Sequence, residues 1–278
     1  MSQRKRYDSK WAILLHNKLN VPYILHVAVR QRPKRPRATV VFLHGIGNTG
    51  HTWRNTIERL PKDTYILSID LLGHGASPKP EHATYNVQTQ ARAVAATLLR
   101  QLTFGKIILV GHSMGSLISV EVAKRYPRLV QSLILCSPPL YGSDTATSLP
   151  HRERQLKAFY RYLSEHPDRV PKLARRVQKI RLFKDTFTIN DETLHPFLGA
   201  LKGSILTQTA AQDAKQLRVP FVIIHGKYDP LVLKSYLKDV VQANSHGTFR
   251  EIAAHHDIRA KTYVTAIVSE IEKATATP

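Results

Sequence analysis

Cysteine is almost absent from the sequence: Cys136 is the one thiol in 278 residues, so no internal disulfide forms and no cysteine cluster can hold a zinc ion. Long apolar runs are absent too, since no stretch reaches the roughly 18 residues that a membrane-spanning helix requires. Near the N-terminus the apolar stretch Trp11 to Leu15 is broken by His16, Asn17 and Lys18, short of the about 7 to 15 residues at the centre of a secretory signal. A soluble, cytoplasmic protein is the expectation. Acidic side chains are scarce, 20 Asp and Glu against 41 Lys and Arg, for a net charge of +21. Internal repeats and low-complexity tracts are missing, which excludes solenoid and fibrous architectures. What is present, at 42% hydrophobic residues, suffices for a buried core in one or two domains and excludes global disorder.

The charge is unevenly placed. Residues 1–40 hold ten basic side chains against Asp8 alone, and residues 151–185 hold eleven against four acids. The remaining chain is only mildly basic. Such segments attract polyanions or steer an anionic substrate, although a solvated basic face explains them as well. No zinc-finger spacing, RNA-recognition aromatic motif or basic region with heptads accompanies them, so no nucleic-acid partner is expected.

Strand signals alternate with helical ones. Asn20 to Val29 is β-rich, and after a basic, proline-containing turn Ala38 to Leu43 is continuously apolar, as a strand buried on both faces should be. Tyr65 to Ile69, Ile107 to Val110, Leu133 to Cys136, Phe221 to Ile224 and Thr248 to Ala253 complete the set, with helices predicted between them around Trp53 to Leu60, from about Val87 and from Ser116 to Tyr126. This alternation implies a parallel sheet. From Pro138 to about Leu217 the strand signal gives way to helical periodicity. At the N-terminus Trp11, Leu14, Leu15 and Leu19 form a stripe, read as a helix docked on the body in preference to a membrane anchor. Cys136 is expected to be a core thiol.

The chemistry concentrates at Ile107-Ile-Leu-Val-Gly111-His-Ser113-Met-Gly115, a G-x-S-x-G pattern between a buried strand and a helix. A serine on so tight a turn needs flanking residues without a Cβ, and Gly111 and Gly115 meet that need. The turn lifts the Ser113 hydroxyl to a helix N-terminus, where unpaired N–H groups favour a developing negative charge.

In this context the chain resembles the α/β-hydrolase family over nearly its whole length. The resemblance implies a mostly parallel eight-stranded sheet with helices on both faces. It divides the chain into a core at 1–137 and 218–278, with 1–20 as a basic arm, and a helical cap at 138–217. His44-Gly45-Ile46-Gly47 matches the loop that carries an oxyanion-binding N–H, so Ile46 and Met114 are the implied backbone donors. Asp70-Leu-Leu-Gly-His-Gly-Ala-Ser77 matches the family's D-x-x-G-x-G-x-S segment, which makes Asp70 a structural carboxylate. The turn His225-Gly226-Lys227-Tyr228-Asp229 implies Asp229 as the orienting acid. Ser137, Pro138 and Pro139 stand at the alternative position for that acid. Ala254-His255-His256-Asp257 offers two histidines for the general base, of which the match selects His256 and keeps His255 as its rival. Ser113, Asp229, His256 is the chain order of this fold.

The expected function is serine-dependent hydrolysis of a small carboxylic ester or related acyl compound, with no cofactor and no metal. Two alternatives stand beside it: a C–C bond hydrolase acting on a diketone-like compound, and a triad-retaining receptor that signals through its cap. Leu140, Tyr141, Phe159, Tyr160, Tyr162, Phe183, Phe187 and Phe197 suggest apolar pocket walls. Contact with an anionic membrane surface is left open by the basic arm, and the oligomeric state is not fixed.

Overall fold

The computed structural model describes residues 7–101, 105–142, 151–178 and 189–276. Seven strands form one sheet: β1 (Val27–Gln31), β2 (Ala38–Leu43), β3 (Thr64–Ile69), β4 (Ile107–His112), β5 (Val130–Cys136), β6 (Phe221–Gly226) and β7 (Gly247–Ile252). Their spatial order is β1-β3-β2-β4-β5-β6-β7, parallel throughout except for β1, which runs antiparallel to β3.

The apolar runs become strands because both faces of the sheet are covered. Along β2 and β4, Val41, Leu43 and Leu109 pack on one side with Leu98 and Leu117. Their neighbours Val40, Phe42, Ile108 and Val110 pack on the other with Trp53, Tyr263 and Ile267. The two-residue period of the pleat therefore feeds two separate cores from one continuous run.

Helices follow the strands. A short helix α1 (Lys10–Ile13) continues into a π-helical turn at Leu14–Lys18. α2 (Arg54–Ile57) is preceded by a 3-10 turn at Gly50–Trp53. α3 (Val87–Gln101) and α4 (Met114–Arg125) are long, and α4 is buried along most of its length. Between β5 and β6 the described elements are helical: α5 (His151–Glu165), α6 (Val170–Gln178), α7 (Asp191–Ala200) with a π-helical extension at Leu201–Leu206, and α8 (Ala210–Ala214). α8 packs on α4 and on α9 (Lys234–Ala243), and α10 (Lys261–Ala276) packs on α2 and β5.

Three expectations are corrected. The described sheet has seven strands and not eight. The sequence itself presents seven apolar runs, and the eighth was implied only by the family resemblance; ahead of β1 the chain is helical from Lys10 and stays outside the sheet through residue 26. For the same reason β1 begins at Val27 and not at Asn20, which takes a left-handed φ of 53°. The stripe of Trp11, Leu14, Leu15 and Leu19 is not buried against the body: all four are exposed, and Ala12 is the buried residue of α1.

Candidate active site

The strand order reverses at β2: the chain passes from it to β3 on one side and then crosses to β4 on the other. In an open α/β sheet the crevice at the carboxyl ends of such diverging strands is the natural ligand site. The two loops that emerge there are His44 to Gly47 after β2 and Ser113 after β4.

Ser113 has φ 51° and ψ −119°, a left-handed conformation that a non-glycine residue adopts only when its surroundings enforce it. The enforcement is steric. A Cβ on Gly115 would lie 2.3 Å from the Leu43 carbonyl oxygen, and one on Gly111 would lie 2.6 Å from that of Gly115. Helix α4 is thereby pulled tight against β2. Met114 is its first residue, so the Met114 N–H has no acceptor within the helix and points out of its N-terminus.

Asp229 lies after β6 and is buried. Its carboxylate accepts from His256 Nδ1 at 2.7 Å, from Ser137 Oγ at 2.5 Å and from the Leu231 N–H at 2.9 Å. Burial pushes the acid up, but His256 and these donors outweigh it and hold the pKa at about 2. An ionised carboxylate only accepts, so His256 carries its proton on Nδ1 and leaves the Nε2 lone pair available. Because the folded value lies below the ordinary ~3.9, the ionised Asp229 carboxylate contributes stability that is fully present above that range and lost as pH falls through about 2.

His255 takes a different place: exposed, with Nδ1 3.1 Å from the Tyr228 carbonyl and its ring beside Tyr228. Of the two histidines, His256 is the one that meets Asp229 and lines the cavity.

Three participants carried no role in the sequence reading. Ser137, with φ 45°, donates to Asp229 and accepts from the Tyr263 hydroxyl 2.7 Å away, because its single proton is already given to the carboxylate. In the sequence the position after β5 stands out only because it carries no acid. His112, inside the serine motif, donates from Nε2 to the His256 carbonyl at 3.0 Å; burial, with His256 beside it, lowers its pKa to about 3, so the imidazole is neutral. Arg152 of α5 donates to the carbonyls of Asp229 and Pro230, tying the helical segment to the acid loop. Replacing Ser137 with alanine removes one charged hydrogen bond, worth roughly 1.5 to 3 kcal/mol. The Asp229 pKa is expected to rise toward the ordinary range, so that the stability loss on acidification begins at higher pH in a thermal-melt series.

Ser113 and His256 face one cavity of about 260 Å³, bounded below by Gly45, Ile46 and His112 and walled by the helical segment. Phe159, Tyr160, Leu163, Leu173, Phe197 and Ile205 make that wall largely apolar. Of the aromatics expected there, Phe159, Tyr160 and Phe197 line it. Leu140 and Tyr141 are buried and do not line it, Tyr162 stacks on His166, and Phe183 and Phe187 lie outside the described residues. Asp70 accepts from the Gly50 and Ala76 N–H groups and from His26, a bracing role for the loop after β3.

Comparison with known proteins agrees with this fold. Residues 38–165 match the family model described as alpha/beta hydrolase fold. The probable lysophospholipase BODYGUARD 4 of Arabidopsis thaliana is 33% identical over 136 residues, which are 46% of this chain and 33% of that relative; the chain thus spans about a third of its length. The 2-(acetamidomethylene)succinate hydrolase of Mesorhizobium japonicum is 27% identical over 225 residues, 74% of this chain and 76% of the relative. Among solved structures, a thermophilic esterase from Thermogutta terrifontis superposes with a TM-score of 0.72 at 18% identity, covering 87% of this chain and 92% of that one. With its diverging parallel strands and its serine on the turn after β4, the chain has the α/β-hydrolase fold.

Proposed function

We propose that the protein is a serine hydrolase that cleaves a small carboxylic ester or related acyl compound through an acyl-enzyme on Ser113. The observation that carries this reading is His256, held by buried Asp229 at 2.7 Å, facing the same apolar cavity as Ser113 on its strained turn. Names of similar proteins, an esterase, a probable lysophospholipase and a hydrolase, agree with it.

In the first half-reaction His256 Nε2 takes the Ser113 proton as Oγ attacks the acyl carbon. The carbonyl oxygen becomes an oxyanion and accepts from the Ile46 and Met114 N–H groups. Collapse of this intermediate breaks the bond to the alkoxide, which receives the proton from His256. Water then attacks the acyl-enzyme with His256 again as base, and the acid leaves as Ser113 is restored. Asp229 keeps Nδ1 protonated throughout and stabilises the imidazolium. The neutral His112 adds no competing positive charge beside it. The helices between β5 and β6 act as the cap that excludes water and sets the acyl chain that fits.

The test combines labelling with turnover. A fluorophosphonate probe is expected to modify Ser113, located by peptide mass spectrometry, and the same protein to hydrolyse members of a nitrophenyl ester series from acetate to laurate. No adduct on Ser113 and no turnover of any ester overturns the reading.

A further inference from the structure

Helix α1 and the turn after it are docked the wrong way round for a water-soluble surface. Their polar and aromatic side holds the body: His16 stacks on Tyr23 with ring centroids 3.8 Å apart, Tyr23 hydrogen-bonds to His82, and Asp8 accepts from the Glu81 N–H at 2.9 Å. The apolar side faces outward. Trp11 is 75% exposed and Leu19 63%, and Ile13, Leu14, Leu15 and Val21 are exposed with them. These six are the majority of the exposed large apolar side chains among the described residues. An amphipathic helix in a soluble protein ordinarily buries that stripe, and an outward one marks a surface made to meet something apolar.

Charge identifies what it meets. Lys10 and Lys18 are exposed on this segment, and Arg4, Lys5 and Arg6 precede it in sequence. Asp8, the one acid of residues 1–40, is engaged with Glu81 and lies 3.4 Å from His82. A basic segment with tryptophan and leucine on its free side has the chemistry of helices that lie in the headgroup region of an anionic bilayer.

Topology places this surface on the edge of the sheet that bears the cavity. β1 is antiparallel to β3, with Val27 opposite Ile69, so the segment that enters β1 lies at the carboxyl edge of the parallel strands, the edge that carries Ser113. At that edge α5 exposes Phe159 and Tyr162 among the exposed Arg154, Arg161 and Arg169, and Phe159 also lines the cavity. Arg154 and Arg161 of the second basic cluster therefore lie on the helix that walls the site.

We infer that residues 10–21, together with the exposed face of α5, dock the protein peripherally on an anionic phospholipid surface, and that its substrate is an acyl lipid drawn from that surface past Phe159. The substrate half rests on the proposed hydrolase reading; the docking half does not. Insertion uses apolar burial and headgroup attraction together. No helix among the described residues is long and apolar enough to cross a membrane, and none is needed for such contact.

The experiment is flotation of the full chain with phosphatidylcholine vesicles, with and without phosphatidylglycerol, at low and high salt, beside Trp11→Glu/Leu15→Glu and Ser113→Ala. The wild type and Ser113→Ala are expected to float with the anionic vesicles and to be released by salt. The double variant is expected to bind at least about tenfold more weakly, with unchanged melting temperature and unchanged turnover of dissolved nitrophenyl acetate. Its turnover of a long-chain ester carried in anionic vesicles is expected to fall by a similar factor. Wild-type protein that stays in the soluble fraction with both vesicles overturns the docking, as does a dimer in sedimentation that the double variant abolishes, since a second copy would then cover the stripe. Flotation without turnover of any ester upholds the docking and removes the hydrolase reading instead.

Discussion

Ser113→Ala is expected to reduce ester turnover by about 10⁴ to 10⁶-fold with the fold intact, and His256→Ala to cost a similar factor. The two losses should not multiply. Nucleophile and base act as one unit, so the double variant is expected to be no slower than the slower single one. His255→Ala provides the contrast: its side chain contacts Tyr228 and stands apart from Asp229, so activity close to wild type is expected. Steady-state rates on a nitrophenyl ester, with circular dichroism to verify folding, decide the matter. A large loss in His255→Ala with full activity in His256→Ala would reverse the assignment of the base.

Gly115→Ala is expected to damage the protein as a whole. The added Cβ would stand 2.3 Å from the Leu43 carbonyl oxygen and 2.7 Å from that of His44, both backbone atoms of β2 and the loop after it. No side chain can rotate away, so α4 must move off the sheet and take Ser113 with it. Overpacking of this kind costs about 3 kcal/mol or more when the backbone must shift, equivalent to a fall of roughly 6 to 12 °C in Tm for a chain of this size. Calorimetry would register it, and an unchanged Tm would show that the close approach of α4 to β2 is wrong.

Much of this architecture was legible because its causes are local. A strand covered on both faces must be apolar at every position, so β2, β4 and β6 announce themselves as runs such as Ala38 to Leu43. The serine turn is legible for a related reason: two backbones in contact exclude a Cβ, which leaves Gly111 and Gly115 as a sign. Ser137 and Tyr263 left no such sign. They are 126 residues apart, and any hydroxyl in either place reads as ordinary until the fold sets Ser137 between Asp229 and Tyr263. The outward stripe of α1 misled for the opposite reason, since periodicity gives the existence of an apolar face and not the direction it points.

The sequence by itself determined the alternation of strand and helix, the turn that strains Ser113, and the order in which Ser113, Asp229 and His256 occur along the chain. Each follows from near-neighbour sterics or from burial, which act residue by residue. Only the tertiary structure decided which histidine meets Asp229, how Ser137 and Leu231 help to hold that acid at about 2, and that the basic arm turns its apolar side outward at the edge bearing the cavity. Those outcomes depend on distances between segments far apart in the chain, and such distances exist only once the sheet has brought the segments together.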